Sequence, residues 1–393
     1  EFSELNIRIN FIPNITEIIN SKINLNDFQF SDILDRKIFI DYEKIEEQIF
    51  QKNILITGAG GSIGSELVRQ ISLLKPSNLI LIDNNEYALY TIEKEIIDSL
   101  VLNNIKLNIV TKLVSIQNFS SLEIIFKKYE PNIVFHAAAY KHVPMLESNI
   151  VETITNNVFG SINLIKLCLL NQVSQFVLIS TDKAVRPTNI MGASKRISEI
   201  YAQLYNKKNK ITKFSIIRFG NVIGSNGSVI PLFNYQIQKG GPITLTHKEI
   251  TRYFMLIPEA VGLVLQSTYL SIGGEVFVLK MGKPIKIFDI AKKMIKLHGY
   301  SLRNNENPNG DVEIKIIGLR PGEKMHEELL IGNNPTDTAH PDIIMALEHI
   351  PDENNFNNFL IMLKNACENN DNKEAINLIK NHIEGMENYK NLK

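Results

Sequence analysis

From Asn53 onward the hydrophobic residues fall into short unbroken runs, at 53–57, 78–82, 107–111, 132–136 and 175–180, and between the runs apolar residues recur at helical spacing. Runs this short and uniformly apolar predict strands covered on both faces. Helices between them predict a parallel sheet wound on both sides, a doubly wound α/β fold. A helix over 191–207 and a strand near 213–218 continue the alternation. Beyond residue 221 Gly, Pro and short apolar segments alternate to about residue 345, which predicts a smaller irregular lobe over the carboxyl ends of the strands. The main domain is expected over 51–222, with later strands able to join its core, and the lobe mainly over 223–345. Residues 346–393 carry apolar residues at helical spacing in a background of Asn, Lys and Glu, and predict terminal helices. Residues 1–50 show no clear periodicity and are expected to be an extension packed on the main domain.

Composition narrows the class. With 42 basic and 42 acidic residues the formal net charge is zero, which argues against a nucleic-acid surface or a polybasic membrane patch; an anionic ligand must be captured locally. Cys168 and Cys367 have no metal or redox spacing and suit a reducing, cytoplasmic setting. No apolar stretch is long enough to cross a bilayer, so no membrane contact is expected of this segment. The sequence opens on Glu1 rather than Met, which fits the cytoplasmic domain of a longer, membrane-anchored protein.

The first strand runs into Thr57-Gly58-Ala59-Gly60-Gly61-Ser62-Ile63-Gly64 and then a helical run. Glycine is needed where the chain turns tightly and where a phosphate must approach bare backbone, and the helix that follows offers unpaired amides and a positive dipole end. The glycines at 58, 61 and 64 give the spacing G-x-x-G-x-x-G; the more usual G-x-G-x-x-G would need glycine where Ile63 stands. The second strand ends in Asp83, at about the separation where a carboxylate meets the adenosine ribose and repels a 2′-phosphate, so NAD is favoured over NADP. Asp83 can alternatively cap the next helix.

Five motifs together resemble the extended short-chain dehydrogenases over about residues 50–340. They are the Gly-rich turn, His136-Ala137-Ala138-Ala139, Asn156-Asn157-Val158-x-Gly160, Ser180-Thr181-Asp182-Lys183 and Gly192-Ala193-Ser194-Lys195. Arg218-Phe219-Gly220-Asn221-Val222, Gly227-Ser228-Val229-Ile230-Pro231, Thr251-Arg252-Tyr253-Phe254-Met255 and Arg320-Pro321-Gly322-Glu323-Lys324 make the chain similar to the bacterial UDP-N-acetylglucosamine 4,6-dehydratases, in particular their membrane-anchored PglF type. The resemblance implies a Rossmann domain and a substrate lobe. It also implies self-association and a place in polysaccharide or protein-glycan synthesis. As cofactor-binding residues for NAD it implies Gly58, Gly61, Ser62, Ile63, Gly64, Asp83, Ala137, Ala138, Ala139, Asn157, Ser180 and Lys195.

The implied reaction is redox-neutral: hydride leaves sugar C4, water is lost across C5 and C6, and hydride returns to C6. Oxidation at C4 acidifies the C5 hydrogen, so one group must take that proton and another must protonate the departing C6 oxygen. The resemblance assigns Asp182 as the acid and Lys183 as the base. Asp182 must then be protonated and Lys183 neutral, which calls for a desolvated site or a shared proton. Most of the superfamily carries Tyr four residues before the helical Lys; here Met191 stands there, and a thioether cannot act as a base. Lys195 is one turn on and can still hold the nicotinamide ribose. For the O4 proton Thr181, relayed through Lys195 or a water, is the first candidate and Asp182 the second.

In the lobe, Arg252 and Arg320 are candidates for the diphosphate because a planar guanidinium binds phosphate oxygens in pairs. Glu323 is expected at the uridine ribose, Asn221 and Val229-Ile230-Pro231 along the diphosphate and uracil, and Lys141 at the sugar or its phosphates. His136 is expected to be a packed, hydrogen-bonded residue, and no metal is expected. Two other readings remain: a nucleotide-sugar epimerase, and a non-catalytic dinucleotide-binding scaffold. Met191 favours the scaffold, while Asp182 and Lys183 favour the dehydratase.

Overall fold

The computed structural model describes residues 38–225, 227–330, 335–387 and 389. Most of the expected extension, residues 1–37, lies outside them. The described chain divides into two compact units. The larger comprises Phe39–Phe219, Pro258–Lys280 and Glu328–Lys393; the smaller comprises Gly220–Ile257 and Met281–Glu327.

The larger unit is built on a nine-stranded sheet. Its strands are β1 (Asn53–Thr57), β2 (Asn78–Asp83), β3 (Asn108–Leu113), β4 (Ile133–His136), β5 (Gln175–Ile179), β6 (Lys213–Arg218), β7 (Val276–Leu279), β8 (Thr336–Asp337) and β9 (Ile343–Ala346). The order is β8-β9-β7-β6-β5-β4-β1-β2-β3. Strands β1 to β7 are parallel, β9 runs antiparallel to β7, and β8 antiparallel to β9. The strand order reverses between β1 and β4, where the carboxyl ends of an open α/β sheet leave a ligand crevice. Register brings Thr57 level with His136, and His136 level with Leu178, so the chain leaves β1, β4 and β5 along one edge.

Packing follows the sequence pattern. Ile54, Leu55, Ile56, Leu79, Ile80, Leu81 and Ile82 have no exposed surface, the burial that unbroken apolar strands need. Helix Glu86–Leu102 buries Leu89, Ile92, Ile96 and Leu100 along one stripe, and Asn85 caps it through the Ala88 amide. Each such fully buried aliphatic side chain contributes about 1.5–3 kcal/mol. The carboxyl-terminal helices Glu353–Glu368 and Asn372–His382 place Phe356, Phe359, Leu363 and Ile379 in the same core as Phe176, Phe214 and Val278.

Within the expected extension, Tyr42–Ile49 is a helix capped by Asp41 with Ile45 and Ile49 buried, two apolar residues one turn apart being too few to register as a period. The stretch 223–345 is divided between the two units. Residues Pro258–Lys280 return to the larger unit, where Val276–Leu279 pairs with β6 as a four-residue buried strand whose length matches the lobe's own short apolar segments.

The smaller unit packs helices Val229–Gln238 and Ile287–Leu297 with a three-stranded parallel sheet of Ile243–Leu245, Val312–Ile316 and Leu302–Arg303. Ile230, Phe233, Ile237, Ile243, Ile290 and Met294 form its core.

Candidate active site

Gly58 has φ +66°, and a Cβ there would lie 2.7 Å from the Ala138 nitrogen, so the turn presses directly on the Ala137-Ala138 backbone. A Cβ on Gly64 would meet the Gly58 carbonyl oxygen at 1.9 Å, which makes glycine obligatory where the helix packs under the turn. Helix Ser62–Leu73 starts at Gly61, which has no side chain with which to cap it, so its first amides and dipole face the carboxyl edge of the sheet. Asp83 accepts from the Gly60 amide (2.9 Å) and the Asn85 amide (2.9 Å). The cap of the following helix is Asn85, so Asp83 ties the glycine turn to the end of β2 instead of capping.

The segment after β4 is held from below. His136 has no exposed surface and bonds Thr57 Oγ1 through Nδ1 and Ser161 Oγ through Nε2, both at 2.8 Å. Burial, then the charge of Lys195, holds its imidazole well below the ordinary histidine value, so it is a neutral packed residue. Asn157 lies in a π-helical turn, Thr155–Phe159. Its Oδ1 accepts from the Tyr140 amide (2.9 Å), and its Nδ2 donates to the Tyr140 carbonyl (3.0 Å) and Ser194 Oγ (3.1 Å). Its amide thus clamps the 137–141 loop to helix Ile190–Lys208, a positioning task where the sequence suggests cofactor contact. Lys141 is held below the usual lysine range by burial.

Thr181, Asp182 and Lys183 follow β5. Asp182 has no exposed surface; its Oδ1 accepts from Lys183 Nζ (3.0 Å) and Thr181 Oγ1 (2.9 Å), and its Oδ2 has no hydrogen-bond partner among the described residues. An unpartnered buried carboxylate oxygen is costly, and such atoms collect where chemistry is done. Asn189 caps helix Ile190–Lys208 through the Gly192 amide (2.8 Å), and a Cβ on Gly192 would lie 2.2 Å from the Lys183 carbonyl oxygen. Glycine at 192 thus lets the helix seat against the Thr181–Lys183 loop. Gly192→Ala is expected to cost about 1–3 kcal/mol by overpacking, read as a lower urea midpoint together with reduced turnover. Met191 is buried, one turn before Lys195. Lys195 is 6% exposed, and burial, partly offset by Glu199, lowers it to about 8.

The sequence reading missed a buried charge network beneath this loop. Glu199 Oε1 accepts from Ser180 Oγ (2.6 Å) and Arg218 Nε (2.7 Å), and its Oε2 accepts from Arg218 Nη2 (2.5 Å) and Arg196 Nη1 (3.2 Å). Glu348, just past β9, binds Arg218 through both oxygens and Arg196 at 2.6 Å. The Ser180 hydroxyl is turned to Glu199. A second missed pair is Glu147 and Tyr389, whose hydroxyl donates to Glu147 while Glu147 also accepts from the Ile190 amide at the start of helix Ile190–Lys208. The available signal was the unbroken burial from Ile190 to Leu204: charged residues on a helix with no exposed face must find partners inside.

In the smaller unit Arg252 is buried. Its guanidinium donates to the Thr251 and Met325 carbonyls (2.7 and 3.3 Å) and to Glu323 (3.3 Å), and it pairs with Glu327 at 3.6 Å. Glu323 also accepts from Thr246 Oγ1 (3.2 Å) and from the Arg320 amide (3.0 Å). The exposed Arg320 guanidinium makes no hydrogen bond or ion pair among the described residues. The Ile230 side chain belongs to the hydrophobic core of this unit, Val229 is partly buried against the same core, and Pro231 is exposed. Asn221 is half-buried, its amide bonded to the Tyr253 carbonyl.

Comparison with known proteins gives a consistent picture. The chain is 46% identical over 326 residues to the capsular polysaccharide biosynthesis protein CapD of Staphylococcus aureus, covering 82% of this chain and 53% of that protein. It spans about half the length of the first such curated relatives. It is 34% identical to a UDP-N-acetylglucosamine 4,6-dehydratase (inverting) of Campylobacter jejuni, over 71% of this chain and 77% of the other. Identity to a UDP-glucose 4-epimerase of Rickettsia bellii is also 34%, with the same coverage. Among solved structures, Pen from Bacillus thuringiensis aligns with a TM-score of 0.66 at 32% identity, covering 78% of this chain and 90% of that one. DesIV, a dTDP-glucose 4,6-dehydratase of Streptomyces venezuelae with NAD and TYD bound, aligns at 0.59 and 19% identity over 70% and 88%, a likeness of fold. Residues 54–348 match the family described as polysaccharide biosynthesis protein, and the chain belongs to that family.

Proposed function

We propose that the chain is an NAD-dependent dehydratase that converts UDP-N-acetylglucosamine to a UDP-4-keto-6-deoxy-N-acetylhexosamine for glycan synthesis. The observation that carries this reading is the closed pair of Asp182 and Lys183 at the carboxyl edge of β5, with Asp182 Oδ2 left unpartnered. The dehydratase relative supplies the reaction by likeness. The Gly58 turn, the bare helix start at Gly61 and Asp83 beside them fit a dinucleotide: backbone amides for the pyrophosphate and a carboxylate for the ribose. A dinucleotide held there would supply a reversible hydride acceptor for sugar C4, and none would be consumed.

The remaining work falls to side chains. The ion pair of Lys183 ammonium and Asp182 carboxylate carries the same number of protons as the neutral pair of amine and carboxylic acid. One proton moved along their 3.0 Å hydrogen bond therefore produces acid and base together, without exchange with solvent. Lys183 then takes the C5 proton, and Asp182 gives its proton to the C6 oxygen, which leaves as water; once hydride reaches C6, Lys183 returns its proton to C5, and the O4 proton restores the one the pair has lost. Thr181, whose hydroxyl lies 2.9 Å from Asp182, is the proposed route for the O4 proton in the absence of a tyrosine. In the smaller unit Arg320 is the guanidinium best suited to the diphosphate, and Arg252 holds Glu323 in place for the uridine ribose.

The epimerase reading shares the fold and is carried by relatives such as that of Rickettsia bellii. Incubation with UDP-N-acetylglucosamine and product mass separates the two. Loss of one water, without accumulating NADH, is the expected result; an unchanged mass with a new epimer would replace the dehydratase by the epimerase.

A further inference from the structure

We propose that Glu199 is a positioning residue for Lys195: its carboxylate, clamped by Arg218, Arg196 and Ser180 one helical turn beyond the lysine, is the counter-charge that sets whether Lys195 carries a proton. The relevance of that charge to a dinucleotide rests on the reading of Lys195 as the ribose-binding lysine.

Lys195 is buried on a helix without an exposed face over Ile190–Leu204, and it forms no hydrogen bond or ion pair with any described residue. A buried ammonium in this position needs a field that favours its charge. The elements packed against the helix bring several charged or titratable groups: Asp182 and Lys183, Glu147, Glu152, Lys166, Arg218 and, on β4, His136. Most are spent elsewhere. Asp182 and Lys183 close on each other, Glu147 is bound to Tyr389 and the Ile190 amide, Glu152 takes Gln117 and Tyr140, and His136 is neutral. Glu199 remains, at i+4 on the same helix face. Four donors hold it ionised: burial works against its charge, but Arg218 first, then Arg196 and Ser180, outweigh burial and leave the carboxyl below the usual range. Glu348 in turn balances Arg218 and Arg196 from the far side. The two arginines and two glutamates therefore sum to zero, and removing Glu199 alone would leave Lys195 beside a net positive cluster.

The test reads Lys195 directly. The protein is labelled with 13Cε-lysine and titrated from pH 6 to pH 10, the Lys195 signal being the one lost in Lys195→Arg. In the native protein the midpoint is expected near 8. In Glu199→Gln it is expected to fall by about one pH unit, the scale of one nearby charge. Arg196→Gln, at the edge of the network, relieves Glu199 of one cation and is expected to move the midpoint upward by a few tenths; it serves also if Glu199→Gln does not fold. Ser180→Ala keeps every charge and should leave the midpoint in place. A midpoint unmoved by loss of either Glu199 or Arg196, or moved in the wrong direction, overturns the proposal. Addition of NAD then tests the reading beneath it: a midpoint that follows these signs, with a Lys195 signal indifferent to NAD, supports the counter-charge and overturns only the cofactor role.

Discussion

Asp182→Asn is expected to slow water loss from UDP-N-acetylglucosamine by about 10²–10⁴-fold, the usual contribution of a placed general acid, while leaving the fold intact. Asparagine has nearly the same shape and keeps an oxygen to accept from Thr181 and Lys183, so the loop geometry observed around Oδ1 survives. What disappears is the proton for the C6 oxygen and the negative charge that lets the pair exist in two tautomers. Lys183→Ala should fall in the same range, by loss of the base at C5. Thr181→Val should slow the reaction less if a water can take over the O4 relay. Initial rates of product formation by mass decide the matter: Asp182→Asn turnover within threefold of the native rate would remove Asp182 from the acid role.

The fold was legible where burial and periodicity agree. Ile54-Leu55-Ile56 and Leu79-Ile80-Leu81-Ile82 are covered on both faces, and a parallel sheet is the arrangement that covers strands so completely. The motifs placed the Gly58 turn, Asp83 and the Thr181-Asp182-Lys183 loop at carboxyl ends of strands, and the structure has them there. Contacts between residues distant in sequence were not legible: the side chains of Asn157 and Ser180 are turned to Tyr140 and Ser194 and to Glu199. Ile230 lies in a motif but packs as core, because a short apolar run gives no sign of which of its side chains turns inward. Glu348, more than a hundred residues from Arg218, could be matched to it only once β9 was known to lie beyond β7 in the same sheet.

Arg218→Met is expected to destabilise the larger unit by about 3–5 kcal/mol, the cost of breaking a buried ion pair by removing one partner. Arg218 has no exposed surface and spans Glu199 and Glu348 with paired contacts, so its loss strands two buried carboxylates with only Arg196 between them. Methionine fills much of the volume, which separates the charge effect from a cavity. The sign of the compensating variant is the sharper test. Neutralising the carboxylates as well, in Arg218→Met with Glu199→Gln and Glu348→Gln, should recover part of the loss, since desolvated charges without a partner cost more than amides in their place. Urea unfolding of the three proteins measures this, with midpoints compared at equal slope. If Arg218→Met lost less than about 1 kcal/mol, the network would be no stronger than an exposed pair, for which that is the usual range. A large loss that the triple variant fails to reduce would mean that the arginine acts through its packing and not through its charge.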